Sequence, residues 1–581
     1  MSPGLTRHLA GRRYLNHFNS LLKGSRRRLS ESIDEQQKDK GINENDTKSG
    51  SENNGNNQDS SNLNHVDSSD LNVNSKPRWV AAERDARLAK YREIVKQPPK
   101  FDSSFVFQPQ TDFTFRYPIF HTTIDPRIPS SSLTDSKKDW TKTLADVLKK
   151  PLVDYPETCD FLIIGGGIIG LSTAFFIQQI WGKTTSIIVV DRDYNYTHAA
   201  SNLSLGCIRQ QFSHPTNVKM AALGAQFYRQ AKDHLSMMNA DPPDFNFHPQ
   251  GYMFLVDPIR AENFIKYHET QTECGAFVDI LSPNVLSQRF PWLNTEGIVF
   301  ATLGLQDEGW IDPYPVLVAL KGKAEFLGTT FLEGEVFDFN TNVAFPTSFY
   351  RDELNDPMET CNNALIRFPN DEIGQISFAR CIVCCGAESR VLAETLGIGT
   401  TPGLRRIPLP VMPRKRYVFV FNAPDAPILD FPVIVDPSGV ICRRDGLGGN
   451  FIVTKCPTKE EEPDPGNLDV DYSFFEKVIH PILSNRVKGF QKVKLVAAWA
   501  GYCDENVYDG NPIIGNHPFY NNITWLCGFG SHGIQMAPAV GRAMADLQLK
   551  GHYPEELGFN LLPFSWERMF SGEKVYEDLI L

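Results

Sequence analysis

The sequence predicts an α/β fold organised around a nucleotide-binding βαβ unit, and three observations predict it. Residues 161–164 are an apolar run of strand length that leads into Gly165-Gly166-Gly167-Ile168-Ile169-Gly170, a GxGxxG pattern. Residues 171–180 continue as an uncharged helix suited to packing on a sheet. A second apolar strand, 187–190, ends at Asp191, about 20 residues beyond the last glycine. Each part has a physical role. Gly165 permits the tight strand-to-helix turn, Gly167 leaves room for a pyrophosphate at the helix N-terminus, and Gly170 lets helix and strand approach closely. Asp191 is placed to accept hydrogen bonds from the ribose hydroxyls of an adenosine, and the parts in this order imply dinucleotide binding. The competing reading is a membrane span, because no charged residue falls between Asp160 and Lys183. Three consecutive glycines, no basic flank and no aromatic belt weigh against it.

Bulk properties narrow the class further. At 581 residues and 41% hydrophobic, the chain is long enough for two or three domains with a large core. A net charge of -11 argues against nucleic acid as the main partner, since affinity there comes from Lys and Arg neutralising phosphates. The 11 cysteines are odd in number and scattered, which fits a reducing compartment rather than a disulfide scaffold. The CxxC of Cys381-Ile382-Val383-Cys384 lies in a strand-like run where residues three apart face opposite sides, so packing cysteines and no metal site are expected.

Along the chain, residues 1–30 are basic and free of acids before Glu31, with Leu5, Leu9, Leu15, Phe18 and Leu22 at roughly helical spacing. That is the composition of a mitochondrial transit peptide; a basic tail or a membrane-surface helix is the alternative. Residues 31–75 almost lack apolar side chains and are expected to be a disordered spacer. Residues 76–155 form an extension with one expected helix between Arg78 and Gln97.

After Asp191 and Arg192, the segment Ala199-Ala200-Ser201-Asn202-Leu203-Ser204-Leu205-Gly206-Cys207-Ile208-Arg209 carries a small-residue turn and then Ser-x-Gly-x-x-Arg. It resembles the second flavin loop of the D-amino-acid oxidase and sarcosine dehydrogenase superfamily. Further landmarks resemble that superfamily in its order: Gly251-Tyr252-Met253-Phe254, Gly334-Glu335-Val336, Cys384-Cys385-Gly386-Ala387, Arg414-Lys415-Arg416-Tyr417, and Gly528-Phe529-Gly530-Ser531-His532-Gly533-Ile534-Gln535. The resemblance implies an α/β fold with a GxGxxG FAD-binding domain (156–245, 305–395, 505–560) interleaved with an antiparallel-sheet substrate domain (246–304, 396–504) and a tail, 561–581. It places Gly165, Gly167, Gly170, Asp191, Arg192, Ala200, Ser201, Val336, Gly386, Gly528, Gly530, Gly533 and Ile534 at the FAD.

The chemistry implied is hydride transfer to flavin from a carbon next to an amine nitrogen, so a small amine or amino acid is the expected substrate. Arg209 is the candidate for holding a substrate carboxylate, against a structural arginine bound to backbone carbonyls. Lys415 is the candidate cation beside the flavin, against a place on a solvated basic edge. His532 is expected either to contact the ring or to cap a loop, with general-base action a further reading. Relatives carry a lysine where this chain has Gln535, so half of the carboxylate clamp is neutral. The histidine that attaches flavin covalently in some relatives follows the Ala-Ser turn, whereas His198 precedes it; FAD is therefore expected to be non-covalent, with Cys442 as the rival attachment point. The Arg-Lys-Arg-Tyr, Arg-Arg-Asp-Gly-Leu-Gly and Trp-Ala-Gly-Tyr segments most resemble a mitochondrial branch of FAD-dependent oxidoreductase domain-containing proteins associated with respiratory complex I assembly. That resemblance implies complex I subunits or assembly intermediates as partners. It also implies a mitochondrial matrix location, with no transmembrane segment and peripheral inner-membrane association.

Overall fold

A computed structural model of the chain describes residues 154–238, 240–340 and 360–579. The expected transit peptide and spacer, and nearly all of the extension, lie outside the described residues. The first strand, Thr158–Ile164, is the centre of an eight-stranded sheet, because its residues 161–164 are buried on both faces. The sheet runs Ile513–Asn516, Ile523–Cys527, Ile373–Val383, Thr158–Ile164, Ile187–Asp191, Thr330–Glu333. All pairings in that path are parallel except the outermost one, between Ile513–Asn516 and Ile523–Cys527. An antiparallel extension, Glu335–Asn340 with Asn363–Arg367, joins the sheet through the start of Ile373–Val383.

One face of this sheet shares a core with four helices, Ile168–Trp181, Pro215–Arg229, Pro313–Leu327 and Gly533–Lys550. Small residues set how closely they pack. A Cβ on Gly541 would meet Ser172 of the first helix, and Ser172 Oγ donates to the Ala537 carbonyl at 2.8 Å. A Cβ on Gly224 would overlap the Gln535 carbonyl. The first of these helices and the strand before it occupy the uncharged stretch between Asp160 and Lys183, so that stretch is strand, turn and helix rather than a span. Among the described residues no helix is long and apolar enough to cross a membrane.

The second sheet has nine strands and is antiparallel except where Val433–Val435 runs parallel to Tyr252–Val256. Its long strands are Val411–Asn422 and Lys494–Asn506. Alternation splits Val411–Asn422 into two faces. Tyr417, Phe419 and Phe421 enter an aromatic core with Phe451, Phe475 and Phe490, while Val418 and Val420 cluster with Ile452, beside Leu205 and Trp499. The short strand Phe529–Gly530, sequentially part of the loop that starts Gly533–Lys550, pairs with Asp504 and Glu505 at the edge of this second sheet. Cys442 packs in the aromatic core, and Cys381 and Cys384 are buried.

Candidate functional site

Residues 158–164 enter the glycine loop with Gly165 at φ +99°, and a Cβ there would collide with the Cys384 carbonyl. Only glycine satisfies both conditions. Gly167 is different: an added Cβ meets nothing nearer than Ser201 Oγ at 3.7 Å, so open space remains over the helix N-terminus. Gly170 lies behind the site, where a Cβ would overlap the Gly165 carbonyl; it sets the separation of helix and loop. The first amides of the turn are held from outside the helix. Gly166 N donates to Asp191 Oδ2 at 2.6 Å, and Ile168 N donates to Ser201 Oγ at 3.3 Å.

Asp191 Oδ1 also accepts from Asp193 N at 3.0 Å, and burial pushes its carboxyl up against the pull of these backbone donors. A carboxylate has about four acceptor positions, so capacity remains for ribose hydroxyls. Arg192 pairs with Glu388 and reaches Glu335 at 3.8 Å, tying the second strand to the segments that hold Gly386 and Val336.

Gly165, Gly167, Asp191 and Arg192 line a cavity of about 1190 Å³. Ala200, Ser201, Val336 and Gly386 line it as well, as do Gly530, Gly533, Ile534, Arg209 and His532. Two helix N-termini, at Gly167 and Gly533, therefore open on one space, and each favours negative charge there. Gly528 does not line the cavity. It stands at φ +75° with its N–H on Asp504 Oδ2 at 2.7 Å, and Phe529 N donates to the same oxygen at 3.1 Å. Asp504 is the anchor of the closing loop.

Burial pushes the Asp504 carboxyl up to about 6, with the Phe529 and Gly528 N–H groups opposing it. The folded value lies above the ordinary 3.8, so the folded chain holds that proton more tightly than the unfolded chain does. Stability from this group is complete below about pH 4 and is lost as pH rises through about 6. Asp504→Asn keeps an oxygen for both amides and removes the titration. Relative to the parent it should gain up to about 3 kcal/mol between pH 4 and pH 8. Urea midpoints at the two pH values check this; a parent-to-variant difference that is constant with pH would count against it.

Arg209 is 1% exposed and lines the cavity. Its Nη1 donates to the Gln211 carbonyl and its Nη2 to the Leu579 carbonyl at 2.5 Å, while the guanidinium carbon lies 4.1 Å from the Phe212 ring centroid. The backbone-bound alternative thus describes it in this structure. Gln535 Oε1 accepts from Arg209 N at 2.8 Å, which orients the amide so that its Nε2 faces His532 Nδ1 at 3.2 Å. His532 Nε2 faces a second donor, Arg209 Nη2 at 3.4 Å, so both ring nitrogens face N–H groups and a neutral ring can accept from only one of them. Burial and the adjacent Arg209 hold His532 well below its ordinary value, so it is neutral. Whichever nitrogen accepts, its lone pair already faces an N–H group, so the ring presents no free base to the cavity.

Lys415 is not among the cavity residues. It shares a strand face with Tyr417, and its Nζ donates to Asn467 Oδ1 at 3.1 Å. Arg416, one residue on and therefore on the opposite face, lines the cavity and donates to Glu462 Oε1 at 2.8 Å. The basic run showed that a cation would be near; strand parity decided which one, and apolar residues on both faces hid that parity. Lys455, buried and paired with Glu461, also lines the cavity and left no sequence signal. Among the described residues no group of His, Cys, Asp and Glu is arranged to hold a metal.

A glycine turn, a ribose-type acid and two helix N-termini around one cavity, covered by a largely antiparallel sheet, define a dinucleotide-binding oxidoreductase fold. The family model described as FAD dependent oxidoreductase (DAO) matches residues 160–547, and the chain belongs to that family. It is 41% identical over 427 residues to FAD-dependent oxidoreductase domain-containing protein 1 of Xenopus laevis, covering 73% of this chain and 85% of that protein. The Bos taurus protein of the same name is 38% identical over 466 residues, covering 77% and 95%. A glycine oxidase of Bacillus licheniformis is 24% identical over 67% of this chain and 93% of its own length. Among solved structures, L-proline dehydrogenase from P. horikoshii superposes with a TM-score of 0.58 at 21% identity, covering 72% of this chain and all of that one. FAD is the cofactor this family implies, and the residues present fit it. The open space at Gly167, the spare acceptor capacity of Asp191 and the two helix N-termini suit an adenosine and a pyrophosphate in a cavity large enough for a dinucleotide.

Proposed function

We propose that this chain binds FAD non-covalently, oxidises a small amine or amino acid at the carbon next to nitrogen, and supports respiratory complex I assembly in the mitochondrial matrix. The observation that carries the oxidoreductase reading is the single cavity running from the Gly165–Gly167 turn and Asp191 to Arg209 and His532. When bound, FAD supplies the two-electron oxidation. The chain's own residues hold and orient. Gly167 and Asp191 would bear the pyrophosphate and ribose, and the Gly533 helix end would face the charge of a reduced ring. Arg209 is the cation for a substrate carboxylate, and His532 lines the cavity beside it as a neutral ring. The names of the glycine oxidase, the 4-methylaminobutanoate oxidase and the L-proline dehydrogenase support an amine or amino-acid substrate. Cys442 faces the aromatic core rather than the cavity, which supports non-covalent attachment. The acid-free basic stretch 1–30 supports matrix targeting, and the segments named above support the complex I role.

A second reading, an FAD-stabilised scaffold without turnover, is favoured by one observation: Arg209 already donates to two backbone carbonyls and His532 presents no free base. One experiment separates them. The purified chain should show a flavin spectrum whose colour passes to the supernatant on acid precipitation, and small amines should bleach it without oxygen. A colourless chain, or colour left on the precipitate, overturns the cofactor reading. In cells lacking the protein, Arg209→Ala that keeps its FAD but fails to restore complex I favours turnover; full rescue favours the scaffold.

A further inference from the structure

The C-terminal segment reaches Arg209. Glu577, 4% exposed, accepts from Ser213 N at 2.7 Å, Ser213 Oγ at 2.8 Å, His214 N at 3.1 Å and Asn217 Nδ2 at 2.9 Å. Asp578 N donates to Ser213 Oγ at 2.8 Å. These bonds deliver Leu579, whose side chain is buried with Tyr252, Phe254 and Trp310. Its carbonyl then meets Arg209 Nη2. Tyr252 and Arg209 line the cavity while residues 577–579 do not, so the segment holds from outside the cavity the guanidinium that a ligand inside it would need.

The electrostatics of the contact are one-sided. A carbonyl satisfies a directional N–H but brings no charge, whereas a carboxylate could satisfy two N–H groups of a guanidinium and neutralise it. The nearest carboxylates that oppose the Arg209 charge are Glu577, in the same segment, and Glu308, already engaged by Gln210 N and Gln211 Nε2. The segment therefore supplies both a neutral acceptor and a nearby counter-charge.

We propose that residues 577–579 restrain the cation of a small-carboxylate site, the Leu579 carbonyl holding Arg209 until a carboxylate in the cavity draws it away. This rests on the cavity being the substrate site proposed above. Displacement lowers the apparent affinity of the intact chain by the fraction of time the segment is released, and the coupling is reciprocal: a bound carboxylate loosens the segment by the same factor.

The test uses the FAD-loaded full chain, a chain ending at Tyr576, which retains the Val575 bonds to Asp509 and Asn511, and full-length Glu577→Gln. Benzoate is the probe and uncharged benzamide the control, both titrated calorimetrically. Benzoate should bind the shortened chain at least tenfold more tightly than the intact one, with Glu577→Gln between them. Benzamide should gain nothing, and Arg209→Met in the shortened chain should remove the gain. In the intact chain, saturating benzoate should accelerate hydrogen exchange at the Asp578 and Leu579 amides. Equal benzoate affinity in all three chains overturns the proposal. If the shortened chain does not fold, unchanged affinity in Glu577→Gln together with unchanged exchange at residues 578–579 overturns it. Competition that persists while no amine bleaches the flavin would remove the amine-oxidation reading and leave the displacement standing.

Discussion

Gly165→Val is expected to lose about 2 to 6 kcal/mol of folding stability and its FAD with it. Two costs add at this position. A β-branched residue is strained at φ +99°, and its Cβ would sit against the Cys384 carbonyl, which belongs to the backbone leaving the neighbouring central strand and cannot swing aside. Gly167→Ala is the informative partner. Gly167 has an ordinary φ of -71° and its Cβ would project into open space, so that variant should melt with the parent when flavin is absent and lose only flavin affinity. Melting temperatures of the flavin-free chains and bound FAD after gel filtration separate the two effects. A Gly165→Val chain that melts with the parent would show that the turn relaxes, and the close approach would then explain nothing.

Gln535→Lys should destabilise the chain by several kcal/mol, although by family resemblance it restores a missing cation. Gln535 is 2% exposed and its amide is fully committed, accepting from Arg209 N and facing His532 Nδ1. Lysine cannot accept the Arg209 N–H, and its ammonium would be buried beside another buried cation. Both effects depress the lysine's folded-state value below the ordinary one, so the lost stability should return progressively as pH rises from that depressed value and be complete only above the ordinary one. A shallow melting deficit at pH 10 and a deep one at pH 7 is the expected pattern. A variant as stable as the parent at pH 7 that binds benzoate more tightly would show instead that the pocket accepts a second charge, and that Gln535 is not needed to hold Arg209.

What was legible in the sequence was local. The βαβ unit could be read because its parts follow one another within some 30 residues, and each has a backbone reason: no Cβ at Gly165, close packing at Gly170, a carboxylate at the end of the second strand. The ring end was harder. Arg209 and His532 were found by motif, but the Arg209 partners Gln535 and Leu579 are supplied from more than 300 positions away, and Gln535 is local only to His532. Lys415 and Arg416 differ by one position, and only the pairing of Val411–Asn422 with its neighbours shows which of them faces the cavity.

By itself, then, the amino-acid order determined that a nucleotide-binding turn would form, since glycine content, apolar runs and strand-end charge act through the chain's own local geometry. Tertiary structure alone decided the state of the functional groups. Burial against Arg209 made His532 neutral; Asp504 became the anchor of the closing loop because the second sheet ends beside Gly528 and Phe529. The last decision of this kind is at Arg209, whose charge is the same in any sequence context. Whether it is open to a substrate depends on where residue 579 comes to rest, a long-range contact that no local pattern encodes.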